Sequence, residues 1–450
     1  EHMGYDTTAS SDMTGYTDAA SVNGYAVTPM SWSVAEGLIK GAPLISRRCG
    51  LNVALRGVAD LDITRDRGVD VPRTLLTTDA MALATRADVD VVVELIGGTG
   101  VAQDVIKAAL NAGKSVVTAN KKLLAEHGAA LFALAREKGV DLYFGASVGG
   151  GIPIVRALRD GLVANDIRAM HGILNGTCNY ILTRMAAEGS GFDDVLADAQ
   201  RLGYAEANPS LDIDGHDTAH KICILASLAY GVSVPLDKIP VKGIRGLNPV
   251  DVRYAGELGY VIKLLAVCKA HGDKLEVRVS PTLVPKSHTL AAVNDVFNAV
   301  LVDGSMTDDT LYYGRGAGRA ATASAVISDI VSVARHVAVH TPRAAEPLPP
   351  LGETHYSLLP EEDCVSRFYI RLMVREACGM VGRFATILGD HGVSIFAASQ
   401  HEATEAQRAE GYVPVVILTQ PARAGDIVAA LTEITAQGIV RSMPFHLCIL

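Results

Sequence analysis

"DVDVVVELIGGTGVAQDVIKAALNAGKSVVTA", residues 88–119, decides the fold. From Val89 the chain is apolar apart from Asp90 and Glu94 until Gly97-Gly98, the pattern of a strand buried on both faces. Residues 101–114 place apolar side chains at helical spacing and meet a glycine stop at Gly113. Residues 115–119 are a second short apolar run. Strand, helix and strand in that order make a βαβ unit, which implies a parallel sheet. "HGAALFALAREKG" (127–139) and "VDLYFGASV" (140–148) repeat the helix–strand theme.

Beyond Ser147 the texture changes. "IPIVRALRDGL" (152–162) is helical, "DIRAMHGILNGT" (166–177) strand-like, and "FDDVLADAQRLG" (192–203) helical again. "KLEVRVSPTLV" (274–284) and "AVLVDG" (299–304) add strands of an antiparallel sheet, so an α+β domain is expected. "ATASAVISDIVSVARHV" (321–337) reads as a helix returning to the first domain. The Pro-rich "HTPRAAEPLPPLGE" (340–353) reads as a linker. The remainder predicts a βαββαβ order: strands at 367–374, 393–399, 413–419 and 439–449, with helices at 381–391 and 425–437. The expected division is a flexible tail at 1–23 and a parallel-sheet domain at 24–146 completed by 315–339. An α+β domain at 147–314, a linker at 340–358 and a small ferredoxin-like domain at 359–450 follow.

The formal charge of −9 over 450 residues argues against nucleic acid or an anionic membrane surface as partner. Seven cysteines are scattered without a C-x-x-C pair, which disfavours a zinc knuckle or a disulfide framework and suits a reducing cytoplasm. The apolar run 222–234 is too short to span a bilayer, and the polar N-terminus predicts no signal peptide.

Chemistry concentrates in "GYAEANPSLDIDGHDTAHK", residues 203–221. Asp217 and Lys221 lie four apart on one helical face, able to hold a polar substrate between them or to form a plain surface ion pair with Asp214 as helix cap. His216 and His220 carry the spacing of H-E-x-x-H, but Asp217 replaces the longer glutamate and no third zinc ligand follows. Cys178, inside the apolar "GILNGTCNYIL", reads as a buried thiol rather than a nucleophile.

Five segments together carry a resemblance: "DVVVELIGG" (90–98), "VVTANKKLLAEHG" (116–128), "GILNGTCNYILTRM" (172–185), residues 203–221, and "GRGAGRAATASAVISDI" (314–330). The chain resembles homoserine dehydrogenase with a C-terminal ACT domain. That resemblance implies a Rossmann-like dinucleotide-binding domain, a substrate and dimerisation domain, and an ACT-like regulatory domain. It implies interconversion of L-homoserine and L-aspartate 4-semialdehyde with NAD or NADP, on the way to threonine and methionine. By the same resemblance Lys221 is the proton donor to the carbonyl, with Lys121 the second lysine beside cofactor and substrate. Glu206 and Asp217 are the homoserine-binding carboxylates, and Gly203, Gly318 and Asp60 join Lys121 at the cofactor. The backbone carbonyls of Val148, Gly150 and Ile152 would hold a monovalent cation such as Na+. A cytoplasmic homodimer or higher homo-oligomer with an amino-acid effector on the ACT-like domain completes the expectation. An ammonium beside the reacting oxygen suits the chemistry, because hydride delivery to an aldehyde builds negative charge there.

Three departures mark this chain. Where the family has a strand and G-x-G-x-x-G, residues 24–50 read "GYAVTPMSWSVAEGLIKGAPLISRRCG", with Ala26, Thr28 and Ser31 near the glycine positions and Pro29 in the turn. This favours the alternative of a catalytically impaired relative that senses an amino acid. Gly145 stands where the family has the glutamate of the cation site. Leu61 replaces an arginine in "ADLD", so Asp60 is expected to favour NAD, unless Arg65 or Arg67 clamps the extra phosphate of NADP.

Overall fold

The computed structural model describes Val34, Leu38, Glu405 and residues 41–64, 70–339, 356–400 and 409–450. The expected tail, the glycine-poor turn with Ala26, Thr28, Pro29 and Ser31, Arg65, Arg67 and the Pro-rich stretch 340–353 lie outside the described residues. The chain divides into two compact units: Glu1–Gly151 with Ala317–Pro347, and Ile152–Gly316 with Leu348–Leu450.

Unit 1 is Rossmann-like. β1 (Val58–Ala59) and β2 (Leu76–Thr77) pair in parallel. β3 (Val91–Glu94), β4 (Ser115–Thr118) and β5 (Leu142–Tyr143) form a second parallel sheet in that order. The crossovers are α1 (Val101–Asn111) and α2 (Lys121–Lys138). Alternate strand residues explain the unbroken apolar runs. Val116 packs with Ile106 and Leu110 of α1 and Leu131 of α2, whereas Val117 faces Val326, Ile330 and Val333 of the Arg319–Val339 helix. Both faces are covered, so no polar face is needed. Each fully buried Val, Leu or Ile there contributes about 1.5–3 kcal/mol of burial.

An acid ends this apolar strand for a reason visible in its bonds. Buried Glu94 accepts the Ile96 and Gly97 amides at 2.7 and 2.9 Å and the Thr118 hydroxyl at 2.6 Å. It shapes the glycine loop and ties the carboxyl ends of β3 and β4. Asn120 caps α2 by accepting the Leu123 amide at 3.1 Å and donates to the Gly98 carbonyl at 2.7 Å. The helix that Lys121 opens is thereby anchored to the loop.

Unit 2 is built on an eleven-stranded sheet. Its first part comprises β6 (Ile167–Ile173), β7 (Tyr260–His271), β8 (Lys274–Pro285), β9 (Phe297–Gly304) and β10 (Asp308–Arg315), antiparallel in the order β10-β9-β6-β7-β8. α3 (Gly176–Glu188), α4 (Ser210–Ile213), α5 (His216–Tyr230) and α6 (Pro249–Glu257) accompany these strands, α3 and α5 packing on the sheet.

The C-terminal residues continue the same sheet. β11 (Ser357–Leu358) runs parallel to β8. β12 (Val365–Arg375), α7 (Met380–Asp390), β13 (Ile395–Gln400), β14 (Tyr412–Thr419), β15 (Ala422–Arg423), α8 (Ala424–Ala436) and β16 (Phe445–Ile449) follow. The order β16-β12-β14-β13 is that of a βαββαβ ferredoxin-like element. Residues 359–450 were expected as a small ferredoxin-like domain, and in the structure their strands adjoin the sheet of unit 2. β16 pairs β8 in parallel through Cys448↔Thr282 and Ile449↔Leu283. Asp251 on α6, almost wholly buried, receives Arg371 Nε at 2.6 Å, Arg371 Nη2 at 3.0 Å and the Tyr369 hydroxyl at 2.8 Å. Shared backbone bonds and a buried charge pair join residues 359–450 to the rest of unit 2. Among the described residues no helix is long and apolar enough to cross a membrane.

Candidate active site

The 203–221 stretch folds as turn, short helix and long helix. Gly203 turns the chain at φ 74, and Glu206 lies half-buried on the loop leading into α4. Gly215 (φ 89) is the N-cap of α5, in the left-handed region where a side chain would also meet Val241 at 3.0 Å. Asp214 is therefore not the cap; it pairs with Arg245 at 2.7 Å instead.

Asp217 and Lys221 are in direct contact, Nζ to Oδ2, at 2.6 Å. Were they exposed, an i, i+4 pair would be worth about 0.3–0.5 kcal/mol and need no further explanation. They are instead 3% and 8% exposed, and burying two charges costs several kcal/mol unless hydrogen bonds satisfy them. Those bonds exist. Lys221 Nζ donates to the Leu174 carbonyl at 2.6 Å, and Asn175 Nδ2 donates to Asp217 Oδ2 at 2.9 Å. The pair is therefore a buried, hydrogen-bonded one rather than an exposed i, i+4 contact.

Sequence reasoning missed Asp212, Asn175 and Thr177. Asn175 Nδ2 also donates to Asp212 Oδ1 at 2.8 Å. The Thr177 hydroxyl donates to the Tyr204 carbonyl at 2.7 Å and lies 3.1 Å from Asp212 Oδ2. Burial, reinforced by the nearby Asp217 charge, holds the Asp212 carboxyl above the usual carboxylate range, against the pull of Asn175, Lys221 and Thr177. Cys178 is fully buried beside this cluster, and burial pushes its thiol well up, so it stays protonated. His216 is exposed and His220 buried; among the described residues no three His, Cys, Asp or Glu side chains group around a metal position.

Lys121, Asp60, Gly318, Val148 and Gly150 belong to unit 1, whereas Gly203, Glu206, Asp217, Lys221 and Ile152 belong to unit 2. Asp60 follows β1, its Oδ1 accepting the Asp62 amide at 3.0 Å, beside Leu61 at 74% exposure. After β3, Gly97 and Gly98 take φ of 82 and 70, and side chains added at Gly98 or Gly100 would meet only open space. Gly318, at φ 113, is equally open. In folds with such a sheet a dinucleotide lies across the carboxyl ends of the parallel strands. Gly145 donates its amide to the buried Asp329 carboxylate at 2.7 Å. A Cβ at position 145 would lie 3.0 Å from both Asp329 oxygens, so a side chain there requires the Asp329 carboxylate to give way.

A parallel dinucleotide-type sheet and a buried lysine–carboxylate pair in one chain define a nicotinamide-dependent oxidoreductase of a small polar substrate. The family model of the homoserine dehydrogenase NAD binding domain matches residues 34–145, and that of homoserine dehydrogenase matches residues 153–331. The chain belongs to the homoserine dehydrogenase family. It is 44% identical over 404 residues to the homoserine dehydrogenase of Neisseria gonorrhoeae, spanning 89% of this chain and 92% of that one. To the Pseudomonas aeruginosa homoserine dehydrogenase it is 43% identical over 402 residues, spanning 88% and 91%. The crystal structure of a homoserine dehydrogenase from Thiobacillus denitrificans matches with a TM-score of 0.88 at 38% identity, covering 94% of this chain and 96% of that chain. The protein is accordingly an NAD(P)-dependent oxidoreductase acting between homoserine and aspartate 4-semialdehyde. The alternative of a non-catalytic sensing protein is not favoured.

Proposed function

We propose that Lys221 is the group that exchanges a proton with the reacting oxygen, and that Asp217 positions it. The observation carrying this reading is the buried ammonium, fixed by Asp217 and the Leu174 carbonyl. Two of its three N–H donors are thereby committed, and the third serves the substrate oxygen. Bound NAD(P) supplies the hydride chemistry. As the aldehyde is reduced, charge grows on its oxygen; Lys221 stabilises that charge and hands over its proton, and in the oxidation direction the neutral amine takes the proton back. Glu206, Asp217 and Asp212 provide negative charge for the substrate ammonium. Lys121, at the first position of α2, takes the role of second lysine, with Gly203, Gly318 and Asp60 at the cofactor.

Asp60 and the exposed Leu61 support a preference for NAD, although a hyperthermophilic archaeal homoserine dehydrogenase has been solved in complex with NADPH. By the resemblance alone, Val148, Gly150 and Ile152 remain the proposed carbonyl positions for a monovalent cation. With glycine in place of a carboxylate at position 145, such an ion lacks a charged ligand there and no step runs through it. The βαββαβ element serves as an ACT-like regulatory site. Gly379 (φ 85) leaves the α7 amides without a side-chain cap, a place for the carboxylate of an amino-acid effector such as threonine. The enzyme works as a cytoplasmic homodimer or higher homo-oligomer. The test is homoserine saturation of Asp217→Asn. KM rises and kcat falls if Asp217 serves substrate and lysine; wild-type values for both would reduce it to a helix pair.

A further inference from the structure

Asn175 stands at the centre of the buried polar network, and nothing in the chemistry above demands an amide there. Its carboxamide oxygen accepts the Cys178 amide at 2.8 Å, capping α3. The cap fixes the orientation of the group, because a flipped amide would turn Nδ2 toward an N–H and Oδ1 toward two carboxylates. The NH2 end therefore faces Asp212 Oδ1 at 2.8 Å and Asp217 Oδ2 at 2.9 Å, one hydrogen for each. Its backbone neighbour, Leu174, supplies the carbonyl that holds Lys221. A single loop between β6 and α3 thus touches both carboxylates and the ammonium.

We propose that Asn175 is a positioning residue whose amide bridges Asp212 and Asp217, so that both stay ionised and in place for the substrate ammonium. This rests on reading residues 203–221 as the substrate site. The charge arithmetic supports it. Lys221 is paired to Asp217, whereas the hydrogen-bond partners of Asp212, Asn175 and Thr177, are uncharged. A buried and a half-buried carboxylate near one ammonium repel, and the simplest relief is for one to take up a proton. A protonated Asp212 has no charge to offer the substrate. The amide bridge opposes that uptake, as its lowering of the Asp212 carboxyl indicates. Other charged groups around the cluster do not replace it. Asp214 is engaged by Arg245, Cys178 is kept neutral by burial, Glu206 on the adjoining loop adds negative charge, and His220 follows on α5.

The experiment compares wild type, Asn175→Asp and Asn175→Ser in homoserine oxidation across pH. Both replacements keep a side-chain oxygen for the α3 cap. Asn175→Asp sets a third carboxylate against the other two. The acid limb of kcat/KM should move up by about one pH unit or more. KM at neutral pH should rise about tenfold, with kcat changed less. Asn175→Ser, with no added charge, should raise KM and move the limb less. Wild-type KM and acid limb in both variants, whatever happens to Tm, would make Asn175 only a helix cap and overturn the proposal. Should Asn175→Asp fail to fold, Asn175→Ser decides alone: raised KM supports the bridge, unchanged KM refutes it. Lys221→Met in the same series reports separately on the site. An inactive Lys221→Met beside wild-type-like Asn175 variants sinks only the bridge, whereas an active one sinks the site reading and the bridge together.

Discussion

Replacing Arg371 by methionine tests how residues 359–450 are held. Asp251 has a side chain 1% exposed, and Arg371 supplies two of its three hydrogen bonds. Methionine fills much of the same volume but removes the charge, leaving Asp251 buried with the Tyr369 hydroxyl. Breaking a buried pair from one side costs about 3–5 kcal/mol. Arg371 is 18% exposed and Tyr369 remains, so the lower end, about 3 kcal/mol, is expected. At roughly 2–4 °C per kcal/mol for a unit of this size, Tm should fall by about 6–12 °C. The assay is calorimetric or denaturant unfolding of the full chain, with the double variant Asp251→Asn/Arg371→Met as control. Removing the stranded charge should recover most of the loss. A fall of less than about 1 kcal/mol would refute the buried pair. By the same geometry, deleting residues 354–450 should destabilise unit 2, since it would unpair Asp251 and bare the β8 edge.

Burial holds the His171 imidazole down at about 4, with Arg278, His288 and Lys269 adding to the effect. The unfolded chain regains a value near 6.5, so the contribution is whole above that pH and is lost as pH falls towards about 4. His171→Gln should flatten this acid-side loss of stability, by about 1–3 kcal/mol at pH 4; an unchanged stability–pH curve would contradict it. Leu61→Arg should move the ratio of kcat/KM values from NAD towards NADP, and a strong NADP preference before mutation would point to Arg65 or Arg67 as the clamp. Gly145→Glu should lower Tm rather than restore a cation site, because the new side chain meets Asp329. Asp329→Asn in the same chain should relieve the part of the loss due to charge repulsion, and a rise in Na+ dependence without destabilisation would refute the conflict with Asp329.

The parallel sheet of unit 1 was legible because β4 is buried on both faces and β3 partly so, which writes apolar runs with glycine stops into residues 88–119. The elements of 359–450 were legible for similar local reasons. Their fusion to β8 was not, because pairing Cys448 with Thr282 joins segments far apart in sequence and leaves no periodic trace. Lys221 and Asp217 stood out as charges on one helix face. Asn175 did not, since an asparagine inside "GILNGTC" is uncharged and reads as an ordinary cap. Its one available signal was position: an N-cap amide has a second end that must point somewhere. Asp212 was one acid among several, and only folding sets it, rather than Asp214, against Asp217.

The most direct test is homoserine oxidation by Lys221→Met, followed by nicotinamide absorbance. Because Lys221 is buried against Asp217, the lone replacement strands a charge, so Asp217→Asn/Lys221→Met is measured alongside it, with dinucleotide binding by fluorescence as the check on folding. Loss of proton transfer should lower kcat by about 100-fold or more in both, with dinucleotide affinity kept. Turnover within a few-fold of wild type in either variant would contradict Lys221 as the group that exchanges the proton.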